Sequence, residues 1–297
     1  MKKSIALVAM AFGVTSAFAQ NLISKKGEPF LPEAGDYAIG VDATPFLNYV
    51  GNFFGKNDPN SAPTFNFANS NFSITGKKFK DANNAYRASL RVGFSNTSMK
   101  KEVLDAGMTA LPVYPALPSY KEDKGSYSNT IVALSAGVEK RRGKTRLQGV
   151  YGAEALLGLN TASEKYTYGN ALSTTNNVNF ATTADFGNNI IDAPWPYQAL
   201  DARVTKRKSG LGFNIGARAF VGAEYFVAPK ISIGGEFGWG LGLSIQGKST
   251  TTVESSNGVS VGTHEIKGES ETTFSIDTDN KNSVFGPSAT LRLNLHF

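Results

Sequence analysis

Hydrophobic and polar residues alternate with a period of two along much of the chain, which is the pattern of β-strands with one apolar face. The clearest case spans residues 231–246. One face there carries Ile231, Ile233, Phe237, Trp239, Leu241, Leu243 and Ile245, and the other carries Ser232, Gly234, Glu236, Gly238, Gly240, Gly242, Ser244 and Gln246. This run is much longer than the usual strand of about 5–6 residues. Its length predicts a tilted strand that crosses a membrane and projects beyond it.

The same alternation marks seven further segments. They are residues 37–44, 72–74, 86–94, 132–139, 146–157, 211–225 and 291–297. Short turns at 80–84, 141–144 and 227–230 separate long connectors at about 51–70, 100–128, 160–209 and 247–283. Alternating short turns and long loops are typical of outer-membrane proteins. The sequence therefore predicts an all-β fold, an antiparallel transmembrane β-barrel of eight strands with short periplasmic turns and long extracellular loops.

Two of the long connectors carry turn signals of their own. Pro112, Pro115 and Pro118 interrupt the second connector, since proline breaks a strand ladder. Asn257-Gly258 is a strong hairpin signal, but its flanks at 248–256 and 259–267 lack an apolar face. We interpret them as a hairpin that rises above the membrane, and a barrel of ten strands remains the alternative.

The first 19 residues have the pattern of a secretory signal peptide. Lys2 and Lys3 precede an apolar stretch, and Ala17-Phe18-Ala19 forms a cleavage site, so the mature chain would begin at Gln20. Residues 20–34 would then be a short periplasmic segment, and residues 35–297 the barrel. After Gln20 no run of 18 apolar residues occurs, so a membrane-spanning form would have to be a closed barrel.

Composition narrows the classes of function. Only 18% of the residues are charged, below the roughly 25% of soluble domains, and the chain has no cysteine, which excludes disulfides. The formal charge is +6, but the Lys/Arg clusters, such as 140–142 and 206–208, are short. Nucleic acid is therefore not an expected partner.

Charged residues fall on the predicted inner faces and aromatic residues on the outer ones. The inward charges nearly balance: Arg87, Arg91, Arg146, Arg218 and Arg292 against Asp42, Glu139, Glu154, Glu224 and Glu236. A barrel of eight strands is just wide enough for side chains to fill, so these charges should form salt bridges rather than line a pore. A narrow ion path is the alternative. Tyr37, Tyr86, Tyr225 and Phe297 should form an aromatic girdle at the periplasmic boundary.

The end of the chain resembles the terminal signal of outer-membrane proteins. Leu291, Leu293, Leu295 and Phe297 alternate with polar residues and close on an aromatic carboxyl terminus. The resemblance implies the barrel-assembly machinery as a partner during biogenesis. The strand layout is similar to the OmpA/OmpX-like family of small barrels, and residues 35–46 look like the first strand of such proteins. We expect no peptidoglycan-binding domain after the barrel, so the resemblance is not expected to extend to a cell-wall tether.

Catalytic chemistry is not indicated. The two histidines, His264 and His296, form no metal-binding motif, and Asp277 to Asn280 lack the glycine and glutamate of a calcium loop. We expect no enzyme activity, cofactor or metal. The expected function is that of a structural or interaction protein of the cell outer membrane, in contact with lipid and lipopolysaccharide, or an accessory subunit of a larger outer-membrane complex. A narrow small-solute channel is the alternative, and a lipid-modifying enzyme using His264 with Ser260 or Glu265 is a weaker one. Trp195, Tyr197 and Phe186 would anchor a partner or pack the third loop onto itself.

Overall fold

The computed structural model describes residues 22–43, 52, 74–108, 111–179, 181–192, 201–277 and 289–297. The signal peptide expected over residues 1–19, and the residues Phe72, Trp195 and Tyr197, lie outside this set. The fold is all-β, and its strands pair antiparallel in one sheet of 13 strands. They are β1 (Tyr37–Asp42), β2 (Ile74–Asp81), β3 (Asn84–Leu104), β4 (Tyr120–Arg142), β5 (Leu147–Thr167), β6 (Ile190–Asp192), β7 (Asp201–Lys208), β8 (Gly212–Ala228), β9 (Ile231–Gln246), β10 (Thr250–Ser256), β11 (Val261–Lys267), β12 (Glu271–Asp277) and β13 (Ala289–His296).

Eight of these strands close into a ring. The ring runs β1, β2, β3, β4, β5, β8, β9 and β13, and β13 pairs back with β1 from Ala38↔His296 to Asp42↔Arg292. Three tight turns join β2 to β3, β4 to β5 and β8 to β9. They lie at the end of the ring where β1 begins and β13 ends. We call this the short-turn end. The ring is uneven, because β1 and β2 have 6 and 8 residues whereas β3 has 21 and β4 has 23.

The period-two pattern of the sequence separates the two faces of the ring. In β8, for example, Arg218, Phe220 and Glu224 are buried, while Ala219 and Val221 between them are exposed. Because successive side chains in a strand point to opposite faces, the polar residues line the interior and the apolar residues cover the outside. This arrangement inverts that of a water-soluble sheet, where the apolar face is the buried one.

Three of the long connectors expected from the sequence are partly strand, so their bounds as loops were wrong, and the fourth, at 51–70, lies outside the described residues except for residue 52. β3 and β4 remain paired as far as Leu104 and Tyr120, so the connector expected over 100–128 shrinks to 105–119. The segment 160–209 contains the end of β5 with β6 and β7, and 247–283 contains β10, β11 and β12. These strands carry Ser, Thr and Lys on their faces, so they lack the apolar alternation by which the other strands are recognised.

Outside the ring, β7, β10, β11 and β6 extend the sheet beyond the far half of β5. β7 pairs with β5 at Ser163 to Lys165, just past the point where β8 ends its pairing at Asn160. The hairpin predicted around Asn257-Gly258 is present as β10 and β11, and it belongs to this extension rather than to the ring. Among the strands that the structure describes, the ring therefore has eight and not ten.

The extension has a small core of its own. Tyr166, Ala202, Val204 and Val253 are buried together, and Phe186 packs against them. Buried polar groups tie its connectors down: Asp123 accepts hydrogen bonds from the backbone N–H groups of Gly169 and Ala184 at 2.7 and 2.8 Å. Phe186, expected either to anchor a partner or to pack its loop, does the latter. Among the described residues no helix is long and apolar enough to span a bilayer.

Candidate functional site

The interior of the ring near the short-turn end holds a group of buried charges, which we call the ion-pair cluster. Each member side chain is at most 13% exposed. The members are Lys77, Arg87, Glu139, Arg141, Glu154, Arg218, Glu224, Glu236, Arg292 and His296. They come from seven of the eight ring strands, so the cluster links opposite walls of the ring.

Glu224 organises the layer of the cluster closest to the short turns. Its carboxylate lies 2.7 Å from Nη2 of Arg141 and 3.6 Å from Nζ of Lys77. It also accepts hydrogen bonds from the Ser232 hydroxyl and from Nδ2 of Asn294. Lys77 continues the layer to Glu139, at 2.8 Å. A carboxylate with this many charge-assisted partners is held in one position.

Glu236 organises the second layer. Its carboxylate lies 2.9 Å from Arg87, 3.0 Å from Arg218 and 3.3 Å from Arg292. Glu154 bridges Arg87 and Arg218 again at 3.2 and 3.0 Å. Arg87 also reaches Glu139 at 3.6 Å, which joins this layer to the first.

Aromatic rings fill the space between the ions. The Arg87 guanidinium lies 4.1 Å from the centroid of the Phe220 ring, and that of Arg141 lies 5.2 Å from the Phe79 ring. Cations over aromatic faces gain electrostatic attraction as well as packing. A cavity of about 20 Å³ lined by Lys77, Glu224, Glu236 and others is large enough for roughly one water molecule. In the described part of the chain this region is therefore packed rather than open.

Most of the charges predicted to face inward meet in this cluster. Arg87, Glu139, Glu154, Arg218, Glu224, Glu236 and Arg292 all belong to it. Arg91 is half-buried on the same face of β3, farther from the short turns. Asp42 stands opposite Arg292 in the β1–β13 register, and its side chain is outside the described set.

Arg146 lies elsewhere. It is in the turn before β5, not within the strand, and its guanidinium lies 3.6 Å from the centroid of the Phe30 ring. The alternation that predicts an inward Arg146 does not apply there, because β5 begins only at Leu147. Arg146 thus contacts the N-terminal segment.

Two cluster members, Lys77 and Arg141, were not predicted. Lys77 lies in β2, whose lysines occupy both faces, so alternation gave no direction. Arg141 was assigned to a short turn, but β4 continues to Arg142. Counting in twos from Glu139 would have placed Arg141 inside. With them the described cluster has five Lys/Arg side chains and four glutamates.

The segment from residue 22 to 36 covers the short-turn end of the ring. Phe30 is 5% exposed, and its carbonyl accepts a hydrogen bond from the Lys230 backbone N–H at 3.4 Å. Asp36 forms an ion pair with the Lys230 side chain. Partial burial opposes ionisation of Asp36, but the Lys230 ammonium and the Glu33 backbone N–H outweigh it and lower the pKa of Asp36 below 3.8. The segment therefore covers the opening of the ring at the short-turn end, next to the ion-pair cluster.

Ser232, His296 and Glu224 meet in the interior without the geometry of a catalytic triad. The Ser232 oxygen and a Glu224 oxygen approach the same His296 nitrogen, Nε2, at 3.1 and 3.3 Å. A triad needs the acid and the nucleophile on opposite ring nitrogens. All three residues are at most 2% exposed. Among the described residues no group of three or more His, Cys, Asp or Glu could hold a metal ion.

The predicted aromatic girdle and terminal signal lie on the outer face near the short-turn end. Tyr37 and Phe297 stack with ring centroids 6.3 Å apart, and Tyr86 is exposed two residues beyond the start of β3. Tyr225 is half-buried, close to the end of β8. Leu291, Leu293 and Leu295 are exposed along β13.

Comparison with protein-family models, with curated proteins and with solved structures finds no match. The similarity to OmpA/OmpX-like barrels therefore rests on the strand pattern and the terminal residues.

Replacement of Glu224 by glutamine tests the ion-pair cluster. Glu224→Gln leaves Arg141 buried without its carboxylate and removes one of the two carboxylates near Lys77, so we expect a loss of about 3–5 kcal/mol in the free energy of unfolding. Equilibrium urea unfolding measures it. The control, Glu122→Gln, removes an exposed partner of Lys100 and should have no measurable effect. Equal stabilities of the two variants would contradict the account.

Acid should release the N-terminal segment. A carboxylate whose pKa is lowered by folding stabilises the folded form above its ordinary pKa, and this contribution is lost as the pH falls through the lowered value. We therefore expect the protection of residues 22–36 against hydrogen exchange, relative to the intrinsic exchange rate at each pH, to fall as the pH drops below 3.8. Asp36→Asn should accelerate exchange already at neutral pH and abolish the acid step, whereas Glu33→Gln should preserve it. A step that persists in Asp36→Asn would show that another group is responsible.

Proposed function

We propose that this chain is an integral β-barrel of the bacterial outer membrane, with an interior filled by side chains. It acts as a structural or interaction protein through the region that projects beyond the membrane, or as an accessory subunit of an outer-membrane complex. The observation that carries the proposal is the inversion of polarity: buried charges occupy the interior of the ring while apolar side chains cover its outside.

The height of the apolar outer face supports the membrane assignment. In β3 the outward residues are apolar from Tyr86 to Phe94, a span of nine residues, and polar from Asn96 to Glu102. A tilted strand needs about 9–11 residues to cross the hydrocarbon core. In β5 the outward apolar residues end at Leu159 and Thr161 follows. In a water-soluble protein this continuous apolar face would be exposed to water, which would cost a large solvation free energy.

The ion-pair cluster supports a closed interior. Glu236 and Glu224 tie cations from strands on different sides of the ring, and opening a path would require those pairs to separate in a region with little water. Residues 22–36 cover the short-turn end as well. A narrow solute channel remains the alternative function.

The projecting region supports a role in interaction. β3 and β4 continue as a paired hairpin about 10 residues beyond the apolar face, or roughly 33 Å along the strands. The tip of this hairpin is apolar and exposed: Leu111 is 67%, Val113 85%, Tyr114 91% and Leu117 85% exposed. An exposed apolar patch at the end of a paired hairpin has the character of a partner-binding surface.

Location and biogenesis follow from the same proposal. The signal peptide over residues 1–19 would export the chain, and the terminal residues Leu291, Leu293, Leu295 and Phe297 would present it to the barrel-assembly machinery. Tyr37, Tyr86, Tyr225 and Phe297 would lie at the periplasmic boundary, where aromatic residues are enriched. Membrane lipid and lipopolysaccharide would surround the apolar face.

Conductance in planar bilayers tests the closed interior. The wild-type protein should show no single-channel currents, because the cluster blocks the ring. A triple variant, Arg87→Ser with Arg218→Ser and Glu236→Ser, removes the core of the second layer and should conduct. The control variant Glu164→Gln with Arg207→Gln breaks a partly exposed ion pair of the extension and should stay silent.

Steady currents from the wild type, in the same range as those of the triple variant, would overturn the closed interior in favour of the channel. Failure of every form to insert into bilayers would overturn the membrane assignment itself.

A further inference from the structure

A face rich in lysine continues directly from the apolar outer face of the ring. Along β5 the outward residues run from Leu157 and Leu159 through Thr161 and Ser163 to Lys165. The β4–β5 register has no irregularity over this stretch, so the two faces are one surface. The polar part therefore lies where the chain would leave the hydrocarbon core.

Strand register collects the lysines on this surface. Residues directly opposite each other in antiparallel strands project from the same face. Lys165 is opposite Lys206, and Lys208 is opposite both Ser163 and Thr250, which in turn faces Lys267. Lys124 is opposite Thr167, two residues past Lys165. We call Lys124, Lys165, Lys206, Lys208 and Lys267 the lysine face.

The lysine face carries a clear excess of positive charge. All five side chains are exposed, and none forms an ion pair with another described residue. Three carboxylates share the surface. Glu122 is paired with Lys100, Glu102 stands opposite Glu122, and Glu265 stands opposite Thr252. Like charges placed directly opposite, as Lys165 and Lys206 are, destabilise a bare sheet, so a bound anion would relieve a repulsion.

The position of the lysine face indicates which anion it would bind, namely the phosphate of lipid headgroups. Ser163, opposite Lys208, lies four residues past Leu159, or about 13 Å along the strand and less along the membrane normal when the strand is tilted. Lipid headgroups occupy roughly the next 5–8 Å beyond the hydrocarbon core, and flexible lysine side chains reach toward them. Outward hydroxyls of Thr161, Ser163 and Thr250 add hydrogen-bond donors suited to phosphate oxygens.

We infer that the lysine face binds the phosphate groups of membrane lipid headgroups in the leaflet on the far side from the short turns. The inference rests on the proposed function, since it takes the apolar face to be embedded in lipid. Several lysines would share each polyphosphorylated headgroup, because their ammonium groups act as separate point charges. The lipid would hold the extension against the membrane surface.

Binding of a fluorescent bis-phosphorylated lipid A to the detergent-solubilised full chain tests the inference. The wild type should bind it at least tenfold more tightly than the same lipid after phosphate removal, since each lysine near a phosphate-bearing surface contributes favourably. The variant with Lys165, Lys206, Lys208 and Lys267 changed to Gln should lose this preference, and the same four changed to Arg should keep it. The matched control changes Lys25, Lys80, Lys140 and Lys144 to Gln, all exposed and at the short-turn end, and should bind like the wild type.

Three outcomes would overturn the inference. The glutamine variant could keep the preference, the control set could lose it equally, or inorganic phosphate alone could compete fully, which would indicate a site for free phosphate. Insertion of each variant into phosphatidylcholine vesicles is measured in parallel. If the glutamine variant inserts normally and its lipid binding is unchanged, only the inference about the lysine face is overturned. If the protein does not insert at all, the proposed function and this inference are overturned together.

Discussion

The pairing of the first strand with the last is the contact on which the rest of the structure depends. Ala38 to Asp42 bond with His296 to Arg292, and this register closes eight strands into a ring. Without this pairing the inner face would be open to water, and the charged side chains of opposite strands would not be brought within ion-pair distance. Closure also gives the backbone groups of the paired strands their partners, which an environment of lipid demands of any spanning segment.

Closure imposes a second constraint on the interior. Charges removed from water are costly unless each has partners, so an interior that carries Arg87, Arg218 and Glu236 has to carry them in matched positions. The structure meets this with two layers, each organised by a glutamate, and with Phe79, Phe220 and Phe226 filling the gaps. Glycine on the facing strands makes room: a Cβ at Gly238 would meet the Arg218 guanidinium at 1.9 Å. The glycine-rich inner face of β9 is thus the counterpart of the large arginines of its neighbours.

The eight-strand ring could be predicted from the sequence wherever alternation pairs large apolar residues with small or polar ones, as in β8 and β9. Most of the cluster followed, because the position of a residue within a strand determines its face. Prediction failed where that signal is absent. The inward position of Lys77 could not be predicted, because β2 carries lysines on both faces. The inward position of Arg141 was not predicted, because β4 continues to Arg142, beyond the end that the sequence indicates. Apart from the hairpin of β10 and β11, the sequence predicts loops where the extension lies, because the core of the extension depends on contacts between distant segments, such as Tyr166 with Val204 and Val253, which alternation does not report.

The membrane assignment is tested most directly by nitroxide labels placed singly along β4 from Val132 to Val138 in lipid vesicles. The chain has no cysteine, so each introduced cysteine gives one labelled site. The outward positions 132, 134, 136 and 138 should be accessible to oxygen dissolved in lipid and shielded from a water-soluble nickel reagent, with the intervening positions accessible to neither. If the outward positions instead react with the nickel reagent as freely as exposed Lys124, the apolar face meets water and the account is wrong.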